Sequence, residues 1–452
     1  MDLSGASILI AGAGLAGLSA ARDLSAMGAD ITVIDARTRI GGRVLTIRDG
    51  FAASQHAEAG GDMIDHDHHE IRTLAGELGL TLTRVLRDGF GYVRANGNAR
   101  PRIIPRSAAH GWERLSDALA DLGRDYRLVE KRWDSPITAD LARRSVSDWL
   151  EAVKADDDLR MTATGLRGFF LADPEELSLL ALVDQFSTDD APAPWQSFRV
   201  AGGNDRISAA LAAPLGDRLK LDTELVAVSY RGGGVRASIR HGKQVAQIRS
   251  DYLLFAMPAS LLRRIPISPA LPAPQHDAIV RLKYGRATKT LMQFSRRFWR
   301  APGRPRAFGS ALPFGAVWDG NEEQRGQPGI LSLLAGGSAS DATRAIVARD
   351  GIKGLANALD WLCPKGGVPD EVIASKQIGW DTDPWARGGY AFFDPAFDPS
   401  LREWLARPCG PLFFAGEHTS LQWQGYMNGA VESGRRAAAE IAASRRLAPR
   451  DV

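Results

Sequence analysis

A glycine turn near the start of the chain has the residue types and spacing that bind a dinucleotide. Gly12, Gly14 and Gly17 follow the apolar run at residues 8–11, and Asp35 comes 18 positions after Gly17. Gly12 permits a tight turn, Gly14 lets a pyrophosphate approach the backbone, and Gly17 lets a helix pack closely on the strand. The carboxylate of Asp35 can accept hydrogen bonds from ribose hydroxyls. The motif indicates a redox cofactor and leaves NAD and FAD both open.

Lys289 is the second candidate for chemistry because it interrupts an apolar, strand-like run at residues 288–294. Burying an ammonium group is costly unless a partner compensates its charge. The lysine therefore either points to solvent from an edge strand or meets a partner inside the protein.

A crowded group of polar residues, His66, Asp67, His68 and His69, invites a metal interpretation. Four consecutive side chains on a regular element cannot all turn toward one ion in the tetrahedral arrangement that a zinc site needs. We therefore expect solvated side chains there, at a loop or a helix start, and no metal site.

Strand and helix signals along the chain indicate which elements position these residues. Strand signals cover residues 8–11, 31–34, 219–230, 235–241, 252–255, 288–294, 329–334 and 412–415. Helix signals cover residues 73–80, 111–122, 340–361 and 425–443, and the stretch 135–188 is mostly helical. Strand followed by helix at both ends of the chain predicts an α/β fold with a Rossmann-like domain. An α+β substrate domain and a helical subdomain are inserted into it.

The domain prediction follows from this alternation and from the length of 452 residues, which is too long for one ordinary core. The cofactor-binding domain is expected to be discontinuous. It combines residues 1–80, 196–283 and 395–452, whereas residues 81–195 and 284–394 form the substrate-binding domain, with its helical part at about 108–190.

Composition bears on the partners and the compartment. The net charge is +3 and the sequence has no long block of Lys or Arg, so we expect no nucleic-acid partner. We find no signal-type N-terminus and no apolar run of about 18 residues, so we expect no membrane partner. Cys363 and Cys409 are far apart and fit a reducing compartment better than a disulfide scaffold. These features predict a globular cytoplasmic protein.

Motifs along the whole chain decide between the two cofactors. Residues 36–43 follow Asp35 and end in Gly41-Gly42-Arg43. Further motifs lie at residues 58–64, 199–203, 287–299, 414–418 and 423–434. With these motifs the chain resembles the flavin-containing amine oxidase family from residue 8 to residue 439. The resemblance implies bound FAD, an amine or amino-acid substrate that is oxidised to the imine, and O₂ as the acceptor that is reduced to H₂O₂.

The resemblance also implies where the cofactor lies. Arg43 adds a cation near the pyrophosphate, Val226 faces the adenine through its backbone, and Glu417 binds the ribityl chain. The helix that begins near Gly425 points its N-terminus at the flavin and brings the backbone N–H of Met427 close to it. The residues expected to bind the cofactor are Gly12, Ala13, Gly14, Leu15, Ala16, Gly17, Asp35, Ala36, Arg37, Gly42, Arg43, Gly60, Gly61, Asp62, Met63, Val226, Gly416, Glu417, Gly425, Tyr426 and Met427.

The resemblance makes three residues, Lys289, Tyr426 and Tyr390, the candidates for catalytic roles. Lys289 resembles the lysine that holds a water at flavin N5. Tyr426 resembles one wall of the aromatic pair around the substrate amine. Ala391 occupies the position of the second wall, so Tyr390 or Phe392 is expected to compensate. Tyr390 also stands where mitochondrial-type monoamine oxidases carry the cysteine that links the flavin, so we expect FAD to be bound non-covalently.

Other classes of function stay open. A flavin-dependent dehydrogenase or desaturase would use another electron acceptor, although Lys289 disfavours the desaturase. A non-catalytic flavoprotein or interaction module is disfavoured by the intact segments around Glu417 and Tyr426. An amino-acid substrate would need a cation for its carboxylate, and the candidates are Arg100, Arg102 and Arg106. A homodimer is also compatible with the sequence.

Overall fold

The computed structural model describes residues 2–88, 90–94, 102–103, 110–128, 132–133, 135–186, 196–231, 234–302, 304–363 and 365–447. The candidate cations Arg100 and Arg106, and the side chain of Arg102, lie outside this part of the chain. Within the part that is described, no helix has both the length and the apolar composition needed to cross a bilayer.

The secondary structure alternates between strands and helices along the chain. The strands are β1 (Ser7–Ala11), β2 (Asp30–Ile34), β3 (Thr46–Ile47), β4 (Ala57–Glu58), β5 (Ile64–Asp65), β6 (Leu82–Val85), β7 (Gly91–Arg94), β8 (Arg102–Ile103), β9 (Ser197–Val200), β10 (Leu219–Lys220), β11 (Thr223–Arg231), β12 (Gly234–His241), β13 (Gln244–Ser250), β14 (Tyr252–Phe255), β15 (Ile267–Ser268), β16 (Lys283–Tyr284), β17 (Ala287–Phe294), β18 (Ala307–Ser310), β19 (Ala316–Asp319), β20 (Gly329–Gly336), β21 (Val372–Gly379), β22 (Ala391–Phe392) and β23 (Leu412–Phe414). The helices are α1 (Leu15–Ala26), α2 (His69–Glu77), α3 (His110–Leu128), α4 (Pro136–Arg143), α5 (Val146–Ala152), α6 (Asp157–Gly165), α7 (Arg167–Phe170), α8 (Leu179–Phe186), α9 (Asp205–Ala212), α10 (Ala259–Leu262), α11 (Ala273–Arg281), α12 (Ser338–Asn357), α13 (Val368–Glu371) and α14 (Met427–Leu447).

A parallel sheet with the strand order β10-β2-β1-β14-β23 positions the glycine turn. Every neighbouring pair in this sheet runs parallel. The turn after β1 therefore opens at the carboxyl edge of the sheet, where ligands bind in open α/β folds. The strands come from the beginning, the middle and the end of the sequence. The sheet thus confirms the predicted Rossmann-like α/β architecture.

Helices α1 and α14 cover one face of this sheet, and their apolar residues share a core with β1 and β2. The two helices approach closely, because a side chain on Gly434 would overlap the backbone carbonyl oxygen of Ala16. This crossing ties the last helix of the chain to the first glycine turn.

Lys289 lies in a second, mainly antiparallel sheet with the strand order β21-β17-β20-β19-β18-β7-β8. Strand β17 pairs with β20 on one side and with β21 on the other, so it is an interior strand. All of its residues are buried. Helices α3 to α8 form a separate packed layer around residues such as Leu119, Trp149 and Leu180.

Two sequence predictions need correction at the level of elements. The strand predicted at residues 219–230 is divided into β10 and β11 near Asp222, which has a φ of +50°. After that bend β10 joins the parallel sheet, whereas β11 joins the sheet β13-β12-β11-β15. Strand β13 was not predicted because most of its residues are exposed and it lacks an apolar alternation.

Candidate active site

The first glycine turn leaves an open side at Gly14. Gly12 has a φ of +120°, and a Cβ there would lie 2.5 Å from the carbonyl oxygen of Ala256. A Cβ on Gly17 would overlap the carbonyl oxygen of Gly12. A Cβ on Gly14 would meet nothing within 4 Å. Gly12 and Gly17 therefore pack against neighbouring backbone, whereas Gly14 faces free space, as the sequence predicts.

The second glycine motif lies directly beside the first. The N–H of Gly41 donates to the carbonyl oxygen of Ala13 at 2.9 Å. Gly42 lies so close to the first turn that its Cβ would come within 3.5 Å of the Cα of Gly14. The two motifs therefore form one concave backbone surface of the kind that accepts a pyrophosphate.

Asp35 fixes the shape of this surface. Its Oδ2 accepts the N–H of Ala13 at 2.7 Å, and its Oδ1 accepts the N–H of Arg37 at 2.8 Å. Burial raises the pKa of Asp35, although these two hydrogen bonds oppose the increase. Arg37 makes a two-point ion pair with Asp383 at 2.6 and 2.9 Å. Arg37 thus lines the site while its charge is already matched.

Glu417 connects three segments of the site. Its Oε1 accepts hydrogen bonds from Nη1 of Arg43 at 2.9 Å and from the N–H of Ala391 at 3.3 Å. Its Oε2 accepts the N–H of Gly425 at 2.9 Å. Arg43 also donates to the carbonyl oxygen of Gly389 at 2.8 Å. Arg43, predicted near the pyrophosphate, and Glu417, predicted at the ribityl chain, are therefore ion-paired with each other.

Val226 lies at an irregularity in β11. The pairing of β11 with β12 shifts register between Leu225 and Ala227, which leaves Val226 out of the ladder. A residue left out of a ladder has backbone groups that are free for a ligand. This geometry suits the predicted contact between its backbone and an adenine.

One cavity of about 2390 Å³ joins all of these features. It is larger than the 300–1,000 Å³ of typical small-molecule sites, as a dinucleotide with a substrate requires. The predicted cofactor-binding residues that line it are Gly12, Gly14, Leu15, Ala16, Asp35, Ala36, Arg37, Gly42, Arg43, Gly60, Gly61, Asp62, Met63, Val226, Gly416, Glu417, Gly425, Tyr426 and Met427. Ala13 and Gly17 do not line the cavity, because they lie on the buried side of the turn.

Gly61 and the start of helix α14 lie against each other in the wall of the cavity. A Cβ on Gly61 would lie 2.8 Å from Sδ of Met427, the first residue of α14. The unpaired N–H groups at the start of a helix favour negative charge. The part of the cavity wall at the start of α14 is therefore suited to a ring that gains electrons.

Lys289 lines the same cavity, and its side chain is 2% exposed. Its Nζ donates to Oδ2 of Asp62 at 2.8 Å and to the carbonyl oxygen of Gly60 at 3.1 Å. It also lies 4.9 Å from the ring centroid of Trp318. Lys289 therefore meets partners inside the protein, and the alternative of a solvent-facing edge lysine is wrong.

The sequence did not predict the groups that surround Asp62. Its Oδ1 accepts Nε of Arg199 at 2.5 Å, and its Oδ2 accepts Nε1 of Trp318 at 2.9 Å. Arg199 also pairs with Glu323 at 3.2 Å. The motif at residues 199–203 pointed to this region through its glycines, but nothing local indicated that its arginine reaches residue 62.

Aromatic side chains line much of the cavity that Lys289 also lines. The rings that line it include Phe90, Phe169, Trp318, Tyr390, Phe392, Trp423 and Tyr426. The hydroxyl of Tyr390 donates to the carbonyl oxygen of Phe169, and its ring packs against Gly425. The hydroxyl of Tyr426 donates to Gln185 at 3.3 Å. Both tyrosines and Lys289 thus share one cavity, as the sequence predicts.

Within the histidine cluster His68 is buried and packed, so the expectation of solvated side chains is wrong for this residue, whereas His69 is exposed. Nδ1 of His68 accepts the N–H of Asp65 at 3.0 Å, and the ring lies 5.0 Å from that of Tyr426. Burial lowers the pKa of His68 to about 4, so its ring is neutral at pH 7. His69 begins helix α2. Among the described residues, no group of three or more His, Cys, Asp or Glu side chains is arranged to hold a metal ion.

Glu58 should make the stability of the fold depend on pH, and we expect Glu58→Gln to abolish this dependence. Burial, and then the nearby charge of Asp62, raises the pKa of Glu58 from 4.5 to about 8. The folded state therefore binds this proton more tightly than the unfolded chain, and stability is lost as pH rises from about 4.5 through 8. The amide can keep the contacts with Thr46 and Asn204.

We expect the free energy of unfolding of Glu58→Gln, relative to that of the wild type, to rise by a few kcal/mol between pH 5 and pH 9. This corresponds to about 1.4 kcal/mol for each pKa unit. Thermal unfolding midpoints of the two proteins at both pH values measure this gain. An equal difference between the proteins at pH 5 and pH 9 would show that Glu58 is already ionised at low pH.

The fold and the cavity together define a class of protein, the dinucleotide-binding proteins. Residues 15–442 match the family model of the flavin containing amine oxidoreductases. AofH of Mycobacterium tuberculosis, whose name describes a flavin-containing monoamine oxidase, is 30% identical over 96% of each chain. Amine oxidase [flavin-containing] A of Sus scrofa is 25% identical over 96% of this chain and 84% of its own.

Solved structures of amine oxidases are similar to this chain over nearly its whole length. A triple mutant of putrescine oxidase is 26% identical with a TM-score of 0.82, covering 97% of this chain and 99% of its own. Cyclohexylamine oxidase from Brevibacterium oxydans IH-35A is 25% identical with a TM-score of 0.82, covering 98% and 99%. The chain belongs to the flavin-containing amine oxidoreductase family. It is an FAD-dependent amine oxidoreductase, and the predicted family and cofactor are confirmed.

Proposed function

We propose that this protein oxidises a neutral primary amine to the imine by hydride transfer from the α-carbon, with O₂ as the final acceptor. The observation that carries the proposal is the shared cavity, which is lined by Lys289, Tyr390 and Tyr426 as well as by the predicted flavin residues Gly61 and Met63. FAD bound there would accept the two electrons with the hydride and pass them to O₂, which gives H₂O₂.

The surroundings of the reacting carbon favour the neutral amine. The rings of Phe90 and Phe169 lie 4.9 Å apart and form part of an apolar wall. Burial raises the pKa of the Tyr426 and Tyr390 hydroxyls, so both remain uncharged. An apolar site disfavours the ammonium form of the substrate, and the neutral amine is the form whose α-carbon releases a hydride. Small amines are therefore the favoured substrates, and the names of putrescine oxidase and cyclohexylamine oxidase support this class.

Lys289 acts on both halves of the reaction in this proposal. Two of its three N–H donors contact Gly60 and Asp62, and the third could donate to a water in the cavity. A fixed ammonium also stabilises the negative charge that O₂ acquires when it takes up electrons.

We expect FAD to leave the protein intact when the protein is denatured. Tyr390 stands at the position where a linking cysteine would lie, and neither Cys363 nor Cys409 lines the cavity. Acid precipitation followed by chromatography of the supernatant should recover all of the flavin as free FAD. Flavin fluorescence that stays with the polypeptide on a denaturing gel would contradict non-covalent binding.

The proposed reaction is tested by its stoichiometry. The purified protein is incubated in air with small alkyl, alicyclic and aromatic amines, and the carbonyl product, the ammonia and the H₂O₂ are measured. The proposal predicts equal amounts of all three products for at least one amine. Amine oxidation that stops after one equivalent per flavin in air, and continues only when an artificial electron acceptor is added, would identify a dehydrogenase. No oxidation of any amine with or without the added acceptor would support the non-catalytic alternative.

A further inference from the structure

We propose that Asp62 is a positioning residue that holds the ammonium group of Lys289 at one point of the cavity wall and keeps it charged. This inference rests on the proposed function, because it concerns the lysine that faces the reacting groups. It also assigns to Asp62 a role different from the cofactor contact that the sequence suggested.

The geometry around Asp62 leaves its carboxylate little freedom. Oδ1 is held by Arg199 at 2.5 Å, and Oδ2 is held by Trp318 at 2.9 Å. These partners lie on β9 and β19, so two sheets fix the orientation of one carboxylate. Lys289 approaches Oδ2 from a third strand, β17, at 2.8 Å. The position of Nζ is therefore determined by a rigid acceptor.

The ion pair is also unusual as a purely structural device. Lys289 and Asp62 are both more than nine-tenths buried, and an apolar pair of similar volume often stabilises a protein as well or better. The pair lies on the wall of the cavity and is not sealed within a core. This placement indicates that the charge of Lys289 serves the cavity.

Among the charged groups that face Lys289, Asp62 has the largest influence on its protonation and opposes the effect of burial. Burial lowers the pKa of Lys289, Asp62 and then Glu58 raise it, and Arg199 lowers it. Glu323 pairs with Arg199 and offsets part of its charge. Without the Asp62 carboxylate, burial and Arg199 both act to neutralise the amine. The ammonium should then be lost at a lower pH.

The test measures reoxidation of the flavin by O₂ after chemical reduction with dithionite, so it needs no amine substrate. Its outcome is therefore separate from the outcome of the proposed amine oxidation. We expect Asp62→Asn to slow reoxidation at least tenfold at pH 9. The pH at which the rate declines should be lower than in the wild type by at least one unit. Binding of FAD, measured by titration of the apoprotein, should change less than threefold.

Glu323→Gln is the matched control, because it removes one negative charge from the same network without touching Lys289. Its pH profile should move far less than that of Asp62→Asn, because Glu323 acts on Lys289 only through Arg199. The second control combines Asp62→Asn with Lys289→Met, and the Asp62 effect should disappear in that background. An effect that persists undiminished without Lys289 would overturn the proposal, as would superimposable profiles of Asp62→Asn and the wild type.

Asp62→Glu keeps the proposal testable if Asp62→Asn does not fold. The longer carboxylate retains the charge but displaces Nζ, so the rate should fall at every pH while the position of the pH profile stays near that of the wild type. A wild-type rate at every pH would show that the position of the ammonium is irrelevant.

Discussion

Replacing Lys289 with Met is expected to slow amine-driven flavin reduction by about 10²- to 10³-fold, the size of effect seen when one preorganised donor is removed from an active site. Methionine is of similar length and can fill the same space without a charge. Asp62 would keep its bonds to Arg199 and Trp318, so the cavity wall should survive. Stopped-flow reduction under anaerobic conditions measures the rate, and the flavin content checks that the cofactor stays bound.

Lys376→Met is the matched control for this experiment. Lys376 is an exposed lysine on β21, the strand beside β17, and it does not line the cavity. Its replacement should leave the reduction rate within twofold of the wild type. An unchanged rate in Lys289→Met would remove Lys289 from the reaction.

Gly14→Val is expected to weaken FAD binding at least 100-fold while the protein still folds. The φ of Gly14 is −80°, which any residue can adopt, and its Cβ would enter free space. That free space is where the pyrophosphate must approach the backbone. The added side chain should therefore fill the cofactor site without disturbing the protein. Flavin titration of the apoprotein measures the affinity, and thermal unfolding of the apoprotein measures the stability.

Two other glycines provide controls for Gly14→Val. Gly76 is exposed in α2 and also has no atom within 4 Å of its Cβ position, so Gly76→Val should leave FAD binding unchanged. A side chain on Gly17 would overlap Gly12, so Gly17→Val should destabilise the fold itself. Full FAD affinity in folded Gly14→Val would contradict the assignment of this turn to the pyrophosphate.

Local motifs made most of the cofactor site predictable from the sequence. The glycine turn, Asp35 and the second glycine motif are short stretches whose backbone geometry follows from residue type. Their neighbourhood in space then follows from strand pairing, since Gly41 lies beside Ala13 and Asp35 binds the turn after β1. The resemblance to a family extended this prediction to Glu417, which the structure places against Arg43.

The partners of Lys289 could not be predicted in the same way. Asp62, Arg199 and Trp318 are distant from Lys289 in sequence, and three different strands and one loop bring them together. The sequence indicated that a buried lysine needs a partner but could not identify it. The domain boundaries, the individual roles of the site residues, a homodimer and a cytoplasmic location remain predictions.

The most direct test of this account is the visible spectrum of the purified protein during anaerobic mixing with small amines. The account predicts a yellow protein whose flavin absorbance disappears with at least one neutral amine. Admission of air should restore the absorbance and release H₂O₂. A colourless protein that takes up no FAD, or a bound flavin that no amine reduces, would contradict it.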